Sequence, residues 1–490
     1  MKRRDFLKIS APATLSPFVL NGLTLQAFAT PNMLRTLGCD EVGDRSLVMI
    51  QLKGGNDGIN TLIPIDQYGI YANHRPDIRI MDSGPADQAY INLDSTLDTA
   101  RLTGLHPIMA DIKNLYDAGK ATFINGVGYP SANKSHFKST DLWLTGGDGT
   151  PDNFNINTGW VGRYLDHSFP GIAGNPTSEM PDPLGIELGD RKPSLGFHTE
   201  GEHRVSINLT GQDPSGFYNV VSEIGNAPLL NIPTSEYGDI LQHIHNIENS
   251  ISVYSQRISA VFDAGSNSGS YPVSNLANQL KTVARLIAGG SKTKIFLVKL
   301  GGFDTHNAQI VGGATHQGIH ANLLGQISEA VAAFQADLEG LGLDDRVMTV
   351  TFSEFGRKVI QNGSFGTDHG TLAPMMLFGK HVEAGVFGDH IDLSNQDDTG
   401  APGESPTYDY RQVFTTLLQD WLGASSTTLA ATYFDPYETT KIGFVNANQV
   451  VAESCYDPFL NQSPPTGIDQ VSVFRMRAFP NPTGGLFRLD

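Results

Sequence analysis

Apolar positions along the chain collect in a few unbroken runs. Leu47-Val48-Met49-Ile50, within residues 45–52, has no polar interruption, as expected of a strand covered on both faces. Comparable runs occupy Lys294 to Leu300, Arg346 to Phe352, Pro374 to Phe378 and Ala121 to Asn125. Between them, apolar residues recur at three-and-four spacing over Pro107–Lys120, Glu236–Phe262, Leu276–Ala288, His320–Leu341 and Tyr408–Leu422. That spacing predicts helices with one buried stripe. Strand-helix alternation predicts an α/β fold: a mostly parallel sheet with helices on both faces. Residues 147–235 are rich in Gly, Pro, Asn and Asp and weakly periodic. They read as a loop-rich insertion capping the edge of a site, and residues 389–406 read as a second polar loop.

Composition narrows the function classes. Of 490 residues, 39% are hydrophobic and 17% charged, which excludes a disordered polyelectrolyte. Gly 53 and Pro 27 without a period predict a loop-rich fold. A net charge of −18, with 33 basic against 51 acidic residues, excludes a general nucleic-acid binder, because phosphate neutralisation needs a basic surface. No apolar run after the N-terminus is long enough for a spanning helix, so no integral membrane segment is expected once a signal is removed. Cys39 and Cys455 are too few for a disulfide scaffold or a thiolate zinc site. They flank the main domain, and an oxidising compartment would permit a bridge between them.

Both ends carry export signatures. Met1-Lys2-Arg3-Arg4-Asp5-Phe6-Leu7-Lys8 precedes a mildly apolar stretch and Ala27-Phe28-Ala29, so residues 1–29 are expected to be a signal peptide. Arg3-Arg4 followed by Phe6-Leu7-Lys8 resembles the twin-arginine signal, which implies the twin-arginine export machinery as a partner and a periplasmic location. Phe479-Pro480-Asn481-Pro482-Thr483-Gly484-Gly485-Leu486-Phe487 resembles the opening of a type IX secretion sorting domain; residues 476–490 hold only its start. That resemblance implies the type IX machinery and a cell-surface or secreted product. Residues 30–44 and 451–475 are expected to be linkers around a domain spanning 45–450.

The chemistry-bearing residues cluster just after the strand runs, where open α/β sheets bind ligands. Asp57 follows Gly54-Gly55-Asn56; its carboxylate can ligate a hard cation or close a tight turn by accepting backbone N–H groups. Asp304 and His306 repeat that placement after Gly301-Gly302-Phe303, a mixed pair suited to zinc or another transition metal. His316 and His320 stand four apart but among glycines, and rank lower. Glu354 can ligate or act as a base, and Arg357 can clamp an oxyanion. Asp368-His369 adds an adjacent acid and imidazole. Ser135-His136 sits where a loop enters a helix, whose free N–H groups favour an anion; Lys134 and Lys138 add charge.

Several of these segments together resemble one family. They are Leu52-Lys53-Gly54-Gly55-Asn56-Asp57-Gly58, Gly126-Val127-Gly128-Tyr129-Pro130 with Ser135-His136-Phe137, Gly159-Trp160-Val161-Gly162-Arg163, Gly302-Phe303-Asp304-Thr305-His306, Phe352-Ser353-Glu354-Phe355-Gly356-Arg357 and Gly366-Thr367-Asp368-His369-Gly370. The chain resembles, over roughly residues 45–425, the exported bacterial family called domain of unknown function 1501, which is similar to sulfatases of the alkaline-phosphatase-like superfamily. The resemblance implies a divalent metal ion (zinc, calcium or magnesium) held by some of Asp57, Asp304, His306, Glu354, Asp368 and His369. It further implies hydrolysis of an anionic phosphate or sulfate ester, with Ser135 as nucleophile, His136 beside it and Arg357 as anion clamp. No Cys lies near the nucleophile position, so a formylglycine sulfatase is excluded. Phe355 stands where sulfatases carry His, and His369 is expected to supply what Phe355 lacks. The rival expectation is a non-catalytic exported protein that keeps the fold and binds a partner or glycan, or serves as a structural part of the cell surface.

Overall fold

The computed structural model describes residues 39–172, 176–178, 180–190, 192–199, 206–209 and 252–457, together with Ser235 and two short strands at 18–20 and 23–25. Its centre is a nine-stranded sheet. The strands are β1 (Ser46–Lys53), β2 (Ala121–Gly128), β3 (Gly185–Glu187), β4 (Ser206–Asn208), β5 (Ile295–Gly301) and β6 (Val347–Phe352). A separate two-stranded ribbon pairs β7 (Arg357–Gln361) with β8 (Thr367–His369). The main sheet is completed by β9 (Ala373–Phe378), β10 (Gly385–Phe387) and β11 (Tyr408–Asp409). Spatial order is β10-β2-β9-β6-β1-β5-β3-β4, with β11 also on β2. Within this sheet only β9 runs against its neighbours, β2 and β6; the other pairings in it are parallel.

Side-chain alternation along the strands divides the core in two. Val48, Ile50 and Leu52 of β1 and Phe296, Val298 and Leu300 of β5 face one apolar layer. Leu47, Met49, Ile295 and Leu297 face the other. The first layer is closed by α1 (Ala110–Asp117), α4 (Asn275–Ala288), α5 (Ile319–Gly340) and the helical residues 252–264. The second is closed by α2 (His136–Thr145), α3 (Trp160–Ser168) and α6 (Tyr410–Thr416). Helices on both faces explain why the strands read as continuous apolar runs: each side chain, up or down, is buried. The expected α/β class with a mostly parallel sheet is what the chain forms.

Two expectations differ from the structure. Residues 147–235 are not merely a loop cap: α3 and the strands β3 and β4 come from this stretch, and β3 pairs with β5. Strands of three residues are too short to show a period in sequence. The helix expected at Tyr408–Leu422 starts at Tyr410, because Tyr408 and Asp409 pair with β2 and the Asp409 carboxylate caps the helix by accepting from Arg411 N–H. It ends in a wider π turn over Leu417–Trp421. Of the helix expected at Glu236–Phe262, residues 236–251 lie outside the described residues. So do the sorting tail at 476–490 and most of the signal segment, within which Phe18–Leu20 pairs with Leu23–Leu25.

Cys39 and Cys455 form a disulfide with Cα atoms 5.4 Å apart and a sequence separation of 416. It fastens the entry and exit of the domain to each other. No helix among the described residues is long and apolar enough to cross a membrane.

Cross-linking so distant a pair restricts the unfolded chain more than the folded one. Replacing both cysteines by serine is expected to lower unfolding free energy by about 2–5 kcal/mol in urea titrations, with the native circular dichroism spectrum unchanged; an unaltered urea midpoint would count against the bridge as a stabilising tie.

Candidate metal centre

β1, β2, β5 and β6 point the same way, so their carboxyl ends share one rim of the sheet. β9 runs oppositely, which brings its amino end, and β8 just before it, to that same rim. From β5 the chain delivers Asp304 and His306; from β6, Glu354; from β8, Asp368 and His369; and after β2, a loop enters α2 with His136 as its first residue. Backbone direction alone thus gathers side chains that are far apart in sequence.

Two glycines make the rim compact. Gly54 has φ 124°, and a Cβ there would lie 2.4 Å from the Asp304 nitrogen. Gly55 has φ 79°, and a Cβ there would lie 2.4 Å from the Phe355 ring. Neither the backbone angle nor the space admits a side chain.

Asp304 is the hub. Its Oδ1 accepts from Arg357 Nη2 at 2.7 Å and lies 3.1 Å from both His369 Nε2 and His306 Nε2. Its Oδ2 faces His136 Nε2 at 3.4 Å. The two ring nitrogens of His306 and His369 stand 2.9 Å apart. His136, Asp304 and His369 each offer a ligand atom within 4.8 Å of the others. Burial pulls the Asp304 carboxyl upward, but bonds from Arg357 and His369 and the Arg357 charge outweigh it and hold the pKa at about 2.

The far side of each imidazole is fixed by an acceptor. His136 Nδ1 meets Glu354 Oε1 at 2.8 Å, His306 Nδ1 meets Asp368 Oδ1 at 3.1 Å, and His369 Nδ1 meets the Lys134 carbonyl at 2.8 Å. A carbonyl or carboxylate there can accept a hydrogen bond from Nδ1–H, which leaves the Nε2 atoms facing Asp304 available as ligands. Three ring nitrogens and a carboxylate facing one another are a donor set for a cation, with His136, Asp304 and His369 as its tight group and His306 Nε2 beside them. Imidazoles backed by carboxylate or carbonyl are the usual support of metal-ligating histidines. His136 Nε2 and Glu354 Oε2 are buried and lack a hydrogen-bond partner, which a resident ion at the Nε2 side would relieve for the histidine. The residues therefore fit a divalent ion of the borderline, nitrogen-preferring kind, zinc above calcium or magnesium.

The backing groups are held in turn. Glu354 is fully buried and its Oε1 also accepts from Gly54 N–H at 2.8 Å. Asp368 accepts from Asn362 and Lys358; burial raises its pKa, and these bonds with that from His306 bring it below the ordinary value. The bond to Glu354 raises the His136 pKa against the opposing burial, whereas burial lowers that of His369 despite its bonds to Asp304 and Lys134. Phe355 packs against two of the rings, with centroids 4.9 Å from His136 and 4.7 Å from His369.

Four sequence expectations are corrected by this geometry: Asp57, Glu354 and Asp368 as ligands, and Arg357 as clamp. Asp57 does not join the rim cluster. It is wholly buried, with both oxygens accepting from Arg75 Nη1 at 2.9 and 2.7 Å and Oδ2 from Gln309 Nε2 at 2.6 Å. Burial raises its pKa, and the Arg75 and His320 charges more than reverse that. Arg75, 18 residues on, is what sequence reading missed; a basic residue within reach of a buried carboxylate was the available signal. Nor is Arg357 an anion clamp. Its guanidinium is buried and spends Nε on the Gly55 carbonyl, Nη1 on Thr367, and Nη2 on Gly54, Phe303 and Asp304. Glu354 and Asp368 stand behind histidines and not among the converging atoms. Ser135 is the exposed N-cap of α2 and its side chain makes no capping bond. His320 is buried on α5 and donates to Asn56 Oδ1 at 3.0 Å.

A model of the family described as protein of unknown function (DUF1501) matches residues 251–433. That span includes Asp304, His306, Glu354, Arg357, Asp368 and His369 and leaves out Asp57, Ser135 and His136. No curated protein matches the chain. Among solved structures, the chain is similar to Ps i-CgsB in complex with k-i-k-neocarrahexaose, at 13% identity over 86% of this chain and 77% of that one, with a TM-score of 0.32. It is also similar to the C-terminal periplasmic domain of EcEptC from Escherichia coli, at 11% identity over 90% and 91%, with a TM-score of 0.35.

Removing Asp57 strands a buried guanidinium. Asp57→Ala is expected to cost about 3–5 kcal/mol in chemical unfolding while leaving bound metal per folded chain unchanged; loss of metal at full stability would restore Asp57 as a ligand.

Acid sensitivity follows from two buried histidines, His106 and His320, and the half-buried His390. Burial pushes His106 down to about 3 and His320 and His390 to about 4, against about 6.5 in the unfolded chain. Between these values the unfolded state binds more protons, so stability is complete above about pH 6.5 and drains away as pH falls through about 4. Unfolding free energy measured across that window is expected to slope upward with pH, and His320→Gln, which can still donate to Asn56, is expected to flatten the slope.

Proposed function

We propose that this chain is an exported hydrolase of phosphate or sulfate esters that works with one divalent metal ion held by His136, His306, His369 and Asp304. The observation that carries the reading is the convergence of three Nε2 atoms on one ionised carboxylate, each ring held from behind by a dedicated acceptor. Such an ion, when bound, supplies a Lewis acid for an oxygen of the ester's anionic group.

The chain's own residues account for the remaining parts. Asp304, ionised at any working pH, lends negative charge to the donor set, and Arg357 keeps it oriented by anchoring the same guanidinium on four backbone carbonyls. Glu354, Asp368 and the Lys134 carbonyl hold the histidines in the tautomer a cation needs. Ser135 is adjacent to His136, exposed, and free of capping duty, which supports it as the nucleophile. The first N–H groups of α2 and its positive dipole end favour an anion there. Lys134 and Lys358 add positive charge at the mouth, although Lys134 also pairs with Asp397 at 3.3 Å and Lys358 with Asp368 at 3.3 Å. The Cys39–Cys455 disulfide supports residence in an oxidising compartment, in line with the export signature at residues 1–29.

A second reading, a non-catalytic exported binding protein that retains the fold, is favoured by one observation: the arginine expected to clamp the substrate anion is spent on the backbone.

Metal analysis of the purified chain with a phosphate- and sulfate-ester panel separates the two. One ion per chain is expected, lost in His369→Ala and Asp304→Ala, with turnover falling together with metal. Glu354→Gln is expected to weaken metal affinity by about 10–100-fold. Stoichiometric metal without turnover of any ester selects the binding protein; absence of both metal and turnover removes the hydrolase reading.

A further inference from the structure

Two segments deliver most of the metal centre, and they are tied to each other on their buried side. Asp304-Thr305-His306 follows β5, and Thr367-Asp368-His369 is β8. In each, the acid and the imidazole are partly exposed, while the threonine is buried. Thr367 N–H donates to the Thr305 carbonyl at 3.1 Å, and a Cβ at Gly366 would lie 2.4 Å from that same oxygen. Behind the two threonines sits the side chain of Gln309, itself buried. Its Oε1 accepts from Thr305 Oγ1 at 3.0 Å and from Thr367 Oγ1 at 3.1 Å, and its Nε2 donates to Asp57 Oδ2 at 2.6 Å.

The neighbours decide which way the amide faces. An ionised Asp57 only accepts, so Nε2 turns to it and Oε1 is left for the hydroxyls, one to each lone pair. Charge balance does not require Gln309. Arg75 already donates to both Asp57 oxygens, and it fixes the pair to β7 through the carbonyls of Val359 and Lys358. The Gln309 backbone is held as well: its N–H donates to the Phe365 carbonyl at 3.0 Å, and its carbonyl accepts from His320 N–H at 3.4 Å. What the side chain adds is a fixed separation between two segments. A shift of either one would strip a buried threonine hydroxyl of its acceptor, which is costly away from water. A donor set works only while its atoms stay within about 0.5 Å of the required geometry, and Asp304, His306 and His369 are divided between these two segments.

We propose that Gln309 is a positioning residue of the metal centre: one buried amide sets the spacing of the Asp304–His306 segment against β8, and so tunes affinity for the ion without touching it. This rests on the reading of the rim cluster as a metal site. The Asp57–Arg75 pair is the footing that orients the amide, and the number of ions per chain does not depend on it.

Calorimetric titration of the full chain with zinc tests it, alongside visible absorption of the cobalt(II)-loaded protein. Gln309→Met keeps the side chain's length and loses all three bonds. Its zinc affinity is expected to fall by about tenfold, the lower end of what groups behind metal ligands cost, with one ion still bound per chain and the cobalt bands shifted. Thr305→Val and Thr367→Val each remove one hydroxyl and are expected to weaken zinc by about threefold. Thr305→Ser and Thr367→Ser keep the hydroxyl and are expected to bind zinc as the parent does. Adding either valine to Gln309→Met is expected to cost nothing further, since the shared bond is already gone. Should Gln309→Met not fold, the serine–valine comparison decides alone. Parental zinc affinity and unshifted cobalt bands in Gln309→Met, even with a less stable metal-free chain, overturn the proposal and leave the metal centre in place. Serine variants as weak as the valine ones do the same. No zinc bound by the parent chain overturns both the proposal and the metal site.

Discussion

The rim of the sheet depends on one buried cation, the guanidinium of Arg357. It reaches the carbonyls of Gly54 and Gly55 beyond β1, of Phe303 beyond β5 and of Thr367 in β8, and it grips Asp304 with the same nitrogen that serves two of those carbonyls. Carbonyl oxygens at the ends of parallel strands have no ladder partner and must be satisfied where they are buried. A planar fork with five N–H donors does this from a single residue. Four connections are thereby locked at fixed separations, and Asp304 is presented to the histidines as an ionised, oriented carboxylate.

The two acids that most resembled each other in sequence are separated by their cations. Asp57 and Asp304 both follow a strand through paired glycines. Arg75 folds back beneath the rim and neutralises Asp57 in a dry interior, where an unpaired carboxylate is prohibitive. Arg357 approaches Asp304 from one side only, and 46% of that side chain stays exposed. One carboxylate is consumed as structure; the other keeps a face for the imidazoles. Phe355 packs against both His136 and His369 with a ring that offers no lone pair, so the donor atoms come from elsewhere on the rim.

Much of this was readable along the chain because local pattern reflects local environment. Runs such as Leu47-Val48-Met49-Ile50 are apolar at every position only where both faces of a sheet are covered, and β1, β5, β6 and β9 fall within a residue or so of their expected places. Polar groups just past strand ends pointed to a rim, since buried strands exclude them from anywhere else. Short β3 and β4, with three residues each, carried no period and were hidden in a stretch rich in Gly and Pro.

The amino-acid sequence by itself determined the α/β class, the central strands and the positions after which acids and imidazoles would emerge, because hydrophobic periodicity and strand-end polarity are set residue by residue. Only the tertiary structure decided the division of labour among those groups. Whether Asp57 meets Arg75 or a ligand, whether Arg357 faces solvent or carbonyls, and whether His136 turns toward Ser135 or Asp304 all depend on distances between segments tens to hundreds of residues apart. Those distances follow from strand order and direction, which no local pattern encodes.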